Sequence, residues 1–310
     1  MSFYAKTNGE WGKLTTLETY KTFSLVYGDG NAEVRSVAPD GSTTNWVFGG
    51  HSDTINDLAI DESQFVYSCS LDGSVRKNDE GTEMWAYENA GTSYNAITLA
   101  GGYVYVGNSS GRVIRIDTES GNRDQSYEFT GHTGTINGIE ANYDGTVHTV
   151  SGDRTVRKAD SNGNEVWNFT GHGRTINGVV IGDDGSVYTA AFGGTVKKIY
   201  SNGKEAWSFE SFVNTVNDVA INDNTGSVYG SDGGGVIRKI SNDTGTQQLE
   251  ADLSTSSINS ISVTKTGDIY FGDSSQTVRK ITDTGLTLVE DWELNAPTGS
   301  VQATAVKITT

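Results

Sequence analysis

The amino-acid sequence predicts an all-β protein: a seven-bladed β-propeller of four-stranded antiparallel blades, closed by the C-terminal strand pairing into the first blade. Three observations carry this. A short amide-centred element recurs seven times, at Asn56, Asn95, Asn137, Asn177, Asn217, Asn259 and Gln302, with spacings of 39 to 43 residues. Each copy opens a series of short apolar runs separated by turn residues. The two chain ends carry incomplete copies that complement each other.

The element is a small or polar residue, a β-branched or aromatic residue, and the amide. It reads Thr54-Ile55-Asn56, Ser93-Tyr94-Asn95, Thr135-Ile136-Asn137, Thr175-Ile176-Asn177, Thr215-Val216-Asn217, Ser257-Ile258-Asn259 and Ser300-Val301-Gln302. In the clearest repeat a first strand spans Ile176 to Ile181. Asp184-Gly185 turns the chain into a second, Ser186 to Ala191, and a glycine-rich turn leads to a third, Thr195 to Tyr200. Asn202-Gly203 is a strong hairpin signal because both residues tolerate positive φ. The fourth strand, Glu205 to Phe209, carries Trp207.

The blade count follows from the ends. Residues 23–50 hold later strands without an amide-bearing first strand, and residues 300–309 hold a first strand with nothing after it. Together they make one blade, and six complete repeats bring the number to seven. Such closure removes the open edge that would invite aggregation.

Composition agrees. Among 310 residues there are 39 Gly and only 2 Pro, and no apolar run approaches the length of a membrane span. The net charge of −17 excludes a general nucleic-acid binder, which needs a basic surface. The single cysteine, Cys69, lies in an apolar strand-like run, where a buried inert thiol is expected. The opening Met1-Ser2-Phe3-Tyr4-Ala5-Lys6 lacks a secretory pattern, so synthesis in a cytosol is expected.

Two repeat families are resembled. The stretch from Gly131-His132 through Asp144-Gly145 to Asp153 is similar to a WD repeat, and His51/Asp72 and His132/Asp153 share a separation of 21. The resemblance implies a hydrogen-bonded network of His, Asp and Ser or Thr. The Trp of that family's network is replaced by Asn78, Ala159, Ile199 and Ile281, so a partial network is implied. Residues 105–117 with Gly121, and the pairs Gly81/Trp85, Gly163/Trp167 and Gly203/Trp207, resemble repeats of the pyrroloquinoline-quinone type. That likeness implies a Trp packed between neighbouring blades. It implies no cofactor, since the quinone enzymes use a vicinal disulfide that one cysteine cannot form.

Residues 1–21 form a separate unit ahead of the propeller of residues 22–310. Asn8-Gly9 between alternating flanks reads as a hairpin. Phe3 to Leu14 is similar to the short openings of tail and fibre proteins of tailed viruses, which join a subunit to the virion; the bland alternative is a hairpin packed beside blade 1.

No motif for catalysis stands out. His51, His132 and His172 hold turn positions and His148 a second strand, so hydrogen bonding rather than metal ligation is expected. The seven amides are expected to bond backbone at the strand starts, with ligand binding in the central channel as the alternative. The pairs Arg76-Lys77, Arg157-Lys158, Lys197-Lys198, Arg238-Lys239 and Arg279-Lys280 are expected to serve as interblade partners of acidic residues.

Departures from the repeat concentrate between blades 4 and 6. Arg154, Arg174, Phe192 and Phe212, the last read with Val213 in place of a Gly-His pair, form an expected contact arc on one rim. These readings favour a non-enzymatic virion structural or attachment protein. Its partners would be other virion subunits and a host surface protein or glycan, with no nucleic acid, no membrane insertion, no metal and no cofactor. The alternatives are a cytoplasmic WD-repeat-like interaction scaffold and a carbohydrate-active propeller enzyme.

Overall fold

The computed structural model of the chain describes residues 4–7, 10–13, 22–38, 42–253, 256–295 and 300–309. Among them are seven four-stranded antiparallel sheets, one two-stranded sheet and no helix. In blade 1 the C-terminal strand Val301–Thr309 lies innermost, followed by Thr22–Asp29, Val34–Val37 and Thr44–Phe48. The closing pair runs from Thr22 opposite Thr309 to Asp29 opposite Val301. Blades 2 to 7 follow in chain order. Their first strands are Ile55–Ile60, Tyr94–Ala100, Ile136–Ala141, Ile176–Ile181, Val216–Asn222 and Ile258–Val263.

Burial follows the radial position of each strand. Every residue of the second strands Val66–Ser70, Val147–Ser151, Val187–Ala191 and Ser227–Asp232 is buried. A strand covered by a neighbouring blade on both faces has no reason to alternate. The outer fourth strands do alternate, as in Glu165–Phe169, where only Phe169 is buried. There is no single core. The described residues form seven apolar clusters, each spanning one seam between adjacent blades. One, for example, joins Val150, Val156 and Phe169 of blade 4 to Ile176, Val187 and Ile199 of blade 5. Cys69 lies in the seam between blades 2 and 3, and burial pushes its thiol pKa up, keeping it protonated.

The amide element has a structural cause. In each blade the pairing of first and second strands slips by one residue at the amide, as between Ile55 and Asp57, Ile136 and Gly138, or Ile176 and Gly178. Each amide residue is thus the extra residue of a β-bulge, unpaired in the ladder and turned out of the sheet.

The flanks of the expected N-terminal hairpin, Tyr4–Thr7 and Glu10–Lys13, pair antiparallel with Thr7 opposite Glu10. Its turn, Asn8-Gly9, lies outside the described residues.

Candidate functional site

Most of the repeated polar groups are spent on holding the ring together. The bulged amides stitch blade to blade: Nδ2 of Asn56 donates to the Tyr94 carbonyl (2.8 Å), Asn137 to Ile176 (2.8 Å), Asn177 to Val216 (2.9 Å), Asn217 to Ile258 (2.7 Å) and Asn259 to Val301 (2.8 Å). The acceptor is each time the residue just before the next blade's amide. Two amides depart from this: Asn95 has no such bond among the described residues and buries its Oδ1 without a partner, and Gln302 donates instead to Ser300 Oγ within its own blade (2.5 Å). All seven amides line a central channel of about 160 Å³, with Asp57, Glu140 and Asp218. Burial raises the Asp57 pKa to about 7 and that of Asp218 to about 6. Both carboxylates bridge blades, accepting from Ile97 N (2.9 Å) and Ile261 N (3.0 Å).

The turns between second and third strands come in two designs. Blades 2 and 4 use His and Asp. His51 contacts Asp72 through Nδ1 (3.2 Å) and Ser68 Oγ through Nε2 (2.7 Å); His132 contacts Asp153 (2.9 Å) and Thr149 (2.8 Å) likewise. Burial lowers both imidazole pKa values, so the neutral ring donates to the carboxylate and accepts the hydroxyl. Burial alone would raise the Asp72 pKa; the Ser74 and Ser52 donors and His51 outweigh it and hold the carboxyl at about 2. Blades 1, 3, 6 and 7 instead bury an Asp or Asn at the strand end. Asp29, Asn108, Asp232 and Asp273 each accept two backbone amides of their own turn. Blade 5 keeps His172, bonded to Thr189 Oγ1 (2.8 Å), but has Gly193 where the carboxylate would be. Burial, aided by Lys197, pushes His172 down to about 4.

The structure corrects three expectations. The first member of each basic pair binds acids of its own blade: Arg76 holds Glu83 and Glu88, Arg157 holds Glu165, and Arg238 holds Glu250. Reaching the next blade falls to some second members, as in Lys77 Nζ to the Thr118 carbonyl (3.0 Å) and Lys239 to Asp283 (2.7 Å). The reason is alternation along the third strand, which turns consecutive side chains to opposite faces. His148 makes no hydrogen bond at either ring nitrogen among the described residues. It is fully buried, tilted against Trp167 with ring centroids 5.6 Å apart, where blades 2, 3, 5, 6 and 7 carry Tyr67, Tyr105, Tyr188, Tyr229 and Tyr270.

The third correction concerns Phe212, expected on the contact arc. It is 5% exposed, 5.7 Å from Phe209 and perpendicular to it. His51, His132 and His172 meet Phe48, Phe129 and Phe169 the same way, at 6.2, 6.0 and 6.0 Å. Phe212 therefore takes the histidine's own place, and Ser211-Phe212, rather than Phe212-Val213, is the counterpart of Gly-His. Gly230 stands where the hydroxyl partner would be, and a Cβ there would lie 2.9 Å from the Phe212 ring. The signal was available: an aromatic precedes each of the three turn histidines by three residues, as Phe209 precedes Phe212. The shift leaves Val213 89% exposed.

The Trp expectation holds. Trp85, Trp167 and Trp207 donate Nε1 to carbonyls of the next blade's hairpin, at Thr118 (3.0 Å), Ser201 (3.1 Å) and Asn242 (2.8 Å). In blade 3, Tyr127 takes the Trp position and Arg115, stacked over it, supplies the donor to the Ser161 carbonyl (3.1 Å).

What remains lies on the top face, which carries the loops leading into the first strands and the turns between second and third strands. Arg154, Arg174 and Phe192 are exposed there, as expected. Eight of the ten arginines hold carboxylates; Arg154 and Arg174 are the two with no ion pair among the described residues. Arg154 also has φ of 71°, at the turn position where Gly73, Gly111, Gly194 and Gly235 have 78° to 85°. Contacts tie these residues together. A Cβ on Gly193 would lie 3.0 Å from Arg174 Cδ, and one on Gly194 would strike the Phe212 carbonyl, so the Phe192 turn sits between Arg174 and the loop bearing Val213. Arg154 lies on the corresponding turn of blade 4, where its N–H donates to the Ser151 carbonyl.

Fold and site define a closed seven-bladed propeller with repeat-encoded seams and one irregular stretch of rim, an architecture suited to protein–protein interaction. The chain belongs to the family of PQQ-type repeats whose model is described as outer membrane protein assembly factor BamB, which matches residues 29–152 and again 152–307. No curated protein matches the sequence. Among solved structures it is similar to the WD40 β-propeller domain of Doa1 (20% identity, 89% of each chain, TM-score 0.73). It is also similar to U3-55K (16% identity, 82% of this chain and 85% of that one, TM-score 0.74).

Proposed function

We propose that this chain is a non-enzymatic protein-binding propeller whose docking surface is the top face of blades 4 to 6. The observation that carries it is the pair of arginines, Arg154 and Arg174, with no ion pair among the described residues, on the same face as exposed Phe192, in a molecule where the other eight arginines are ion-paired. The groups that could serve catalysis support this indirectly. The amides of five blades, the turn histidines and most basic pairs are engaged in seams and turns. Replacing Arg154 and Phe192 together by Ala should weaken partner capture without unfolding the ring; unchanged capture removes the surface from consideration.

The finer reading is a subunit of a tailed-virus particle, presenting the propeller to another virion subunit or to a host surface protein or glycan. It is supported by the likeness of Phe3 to Leu14 to tail and fibre openings and by the hairpin pairing of that segment. Deleting residues 1–21 should leave a folded propeller that no longer enters particles. Persisting incorporation would sink the anchor idea, and would favour the cytoplasmic scaffold if the protein also purified free of particles.

A further inference from the structure

Building on the top-face reading, we infer that the surface recognises an acidic, aliphatic-bearing peptide segment of a partner protein. Arg154 and Arg174 present guanidinium forks with no ion pair among the described residues, Arg154 on the blade 4 turn between second and third strands and Arg174 on the loop that leads into blade 5. Such forks match carboxylates in geometry and charge. Phe192, 50% exposed, and Val213, 89% exposed, continue the same arc and offer apolar contact that water alone covers. The acid bordering them, Glu210, accepts from the Ser208 hydroxyl (2.9 Å). Asp153, next to Arg154, is held by His132 and by the Thr133 and Thr155 amides.

The charge of the whole chain narrows the occupant. At −17, the molecule repels an extended polyanion such as a nucleic acid or an anionic membrane over most of its surface. A short segment meets only the arc, because fields from charges farther than about 8–10 Å are screened at physiological salt.

The test uses the full chain and three dye-labelled dodecapeptides of Gly and Leu with Glu, Gln or Lys, read by fluorescence anisotropy. The Glu peptide should bind, and the Gln and Lys peptides should bind about tenfold or more weaker. Arg154→Gln and Arg174→Gln should each weaken the Glu peptide severalfold, and rising salt should weaken it further. Arg112→Gln, which removes an arginine already paired with Glu128, should not. Equal binding of Glu and Gln peptides, lost in Phe192→Ser, would overturn the acidic chemistry and leave the docking face standing. No binding by any peptide, or binding indifferent to all four substitutions, would overturn both.

Discussion

His148→Phe gives the sharpest test of how the seams are built. His148 occupies a ring-shaped site that holds Tyr in five other blades, so a six-membered ring fits the space. Its two nitrogens are buried without partners, and each such group costs about 1–3 kcal/mol. Phe removes both while keeping an aromatic ring against Trp167, so at pH 8 the variant should be more stable by roughly 2–6 kcal/mol. The pH dependence is more specific. Burial, aided by Lys158, pushes the folded-state pKa of His148 down to about 3, against the ordinary value near 6.5. Between those values the unfolded chain binds a proton that the folded chain refuses. Stability is therefore present above pH 6.5 and lost as pH falls towards 3. At pH 5 the loss is 1.36 log(1 + 10^1.5), about 2 kcal/mol.

The readout is the difference between variant and wild type. Asp57 and Asp218 have raised folded-state pKa values, so their contribution has the opposite sign: it is present at low pH and lost as pH rises through about 6 to 7. His172, at about 4, loses stability over nearly the same window as His148. These cancel in the difference. Urea unfolding of both proteins at pH 8, 7, 6 and 5, followed by Trp fluorescence, should show the Phe advantage growing by about 2 kcal/mol from pH 8 to 5. A constant difference, or a variant less stable throughout, would refute the picture of an unpartnered neutral imidazole.

Three further outcomes follow from the same geometry. Phe212→Ala should cost about 3–5 kcal/mol in urea unfolding, whereas Phe192→Ala should stay within about 0.5 kcal/mol, separating the seam residue from the exposed one. Arg154→Gly should raise stability by about 0.5–1 kcal/mol through its left-handed φ, while lowering peptide binding; stability and binding falling together would point to a structural role. Asn177→Ala should cost about 1–2 kcal/mol by leaving the Val216 carbonyl short of a donor, and Gln302→Ala, which breaks only a contact within blade 1, should cost less.

The propeller, the blade number and the closure were all legible in the linear chain. They depend on period, turn chemistry and alternation, which are local properties that repeat. The amide ring was legible as a pattern, and its partner was also a repeated residue. What it stitches required the fold, because a bulge and the neighbouring blade's carbonyl meet only across a seam some forty residues away in sequence. The contact arc was legible in part. Arg154, Arg174 and Phe192 break the repeat and are exposed, yet Phe212 breaks it too and is buried. An irregular residue can fill a seam or leave it, and composition at one position does not say which. The matching loss of the hydroxyl at Gly230 shows the seam accommodating Phe212, and that pairing exists only in three dimensions. The same holds for His148, whose missing hydrogen bonds are invisible in sequence because partners are set by the blade beside it. The sequence by itself determined the ring and its repeated parts, since hydrophobic period and turn residues act locally. Tertiary structure alone decided which charges are paired, which aromatics are buried and which two arginines are left over, since those depend on neighbours brought together by closure of the ring.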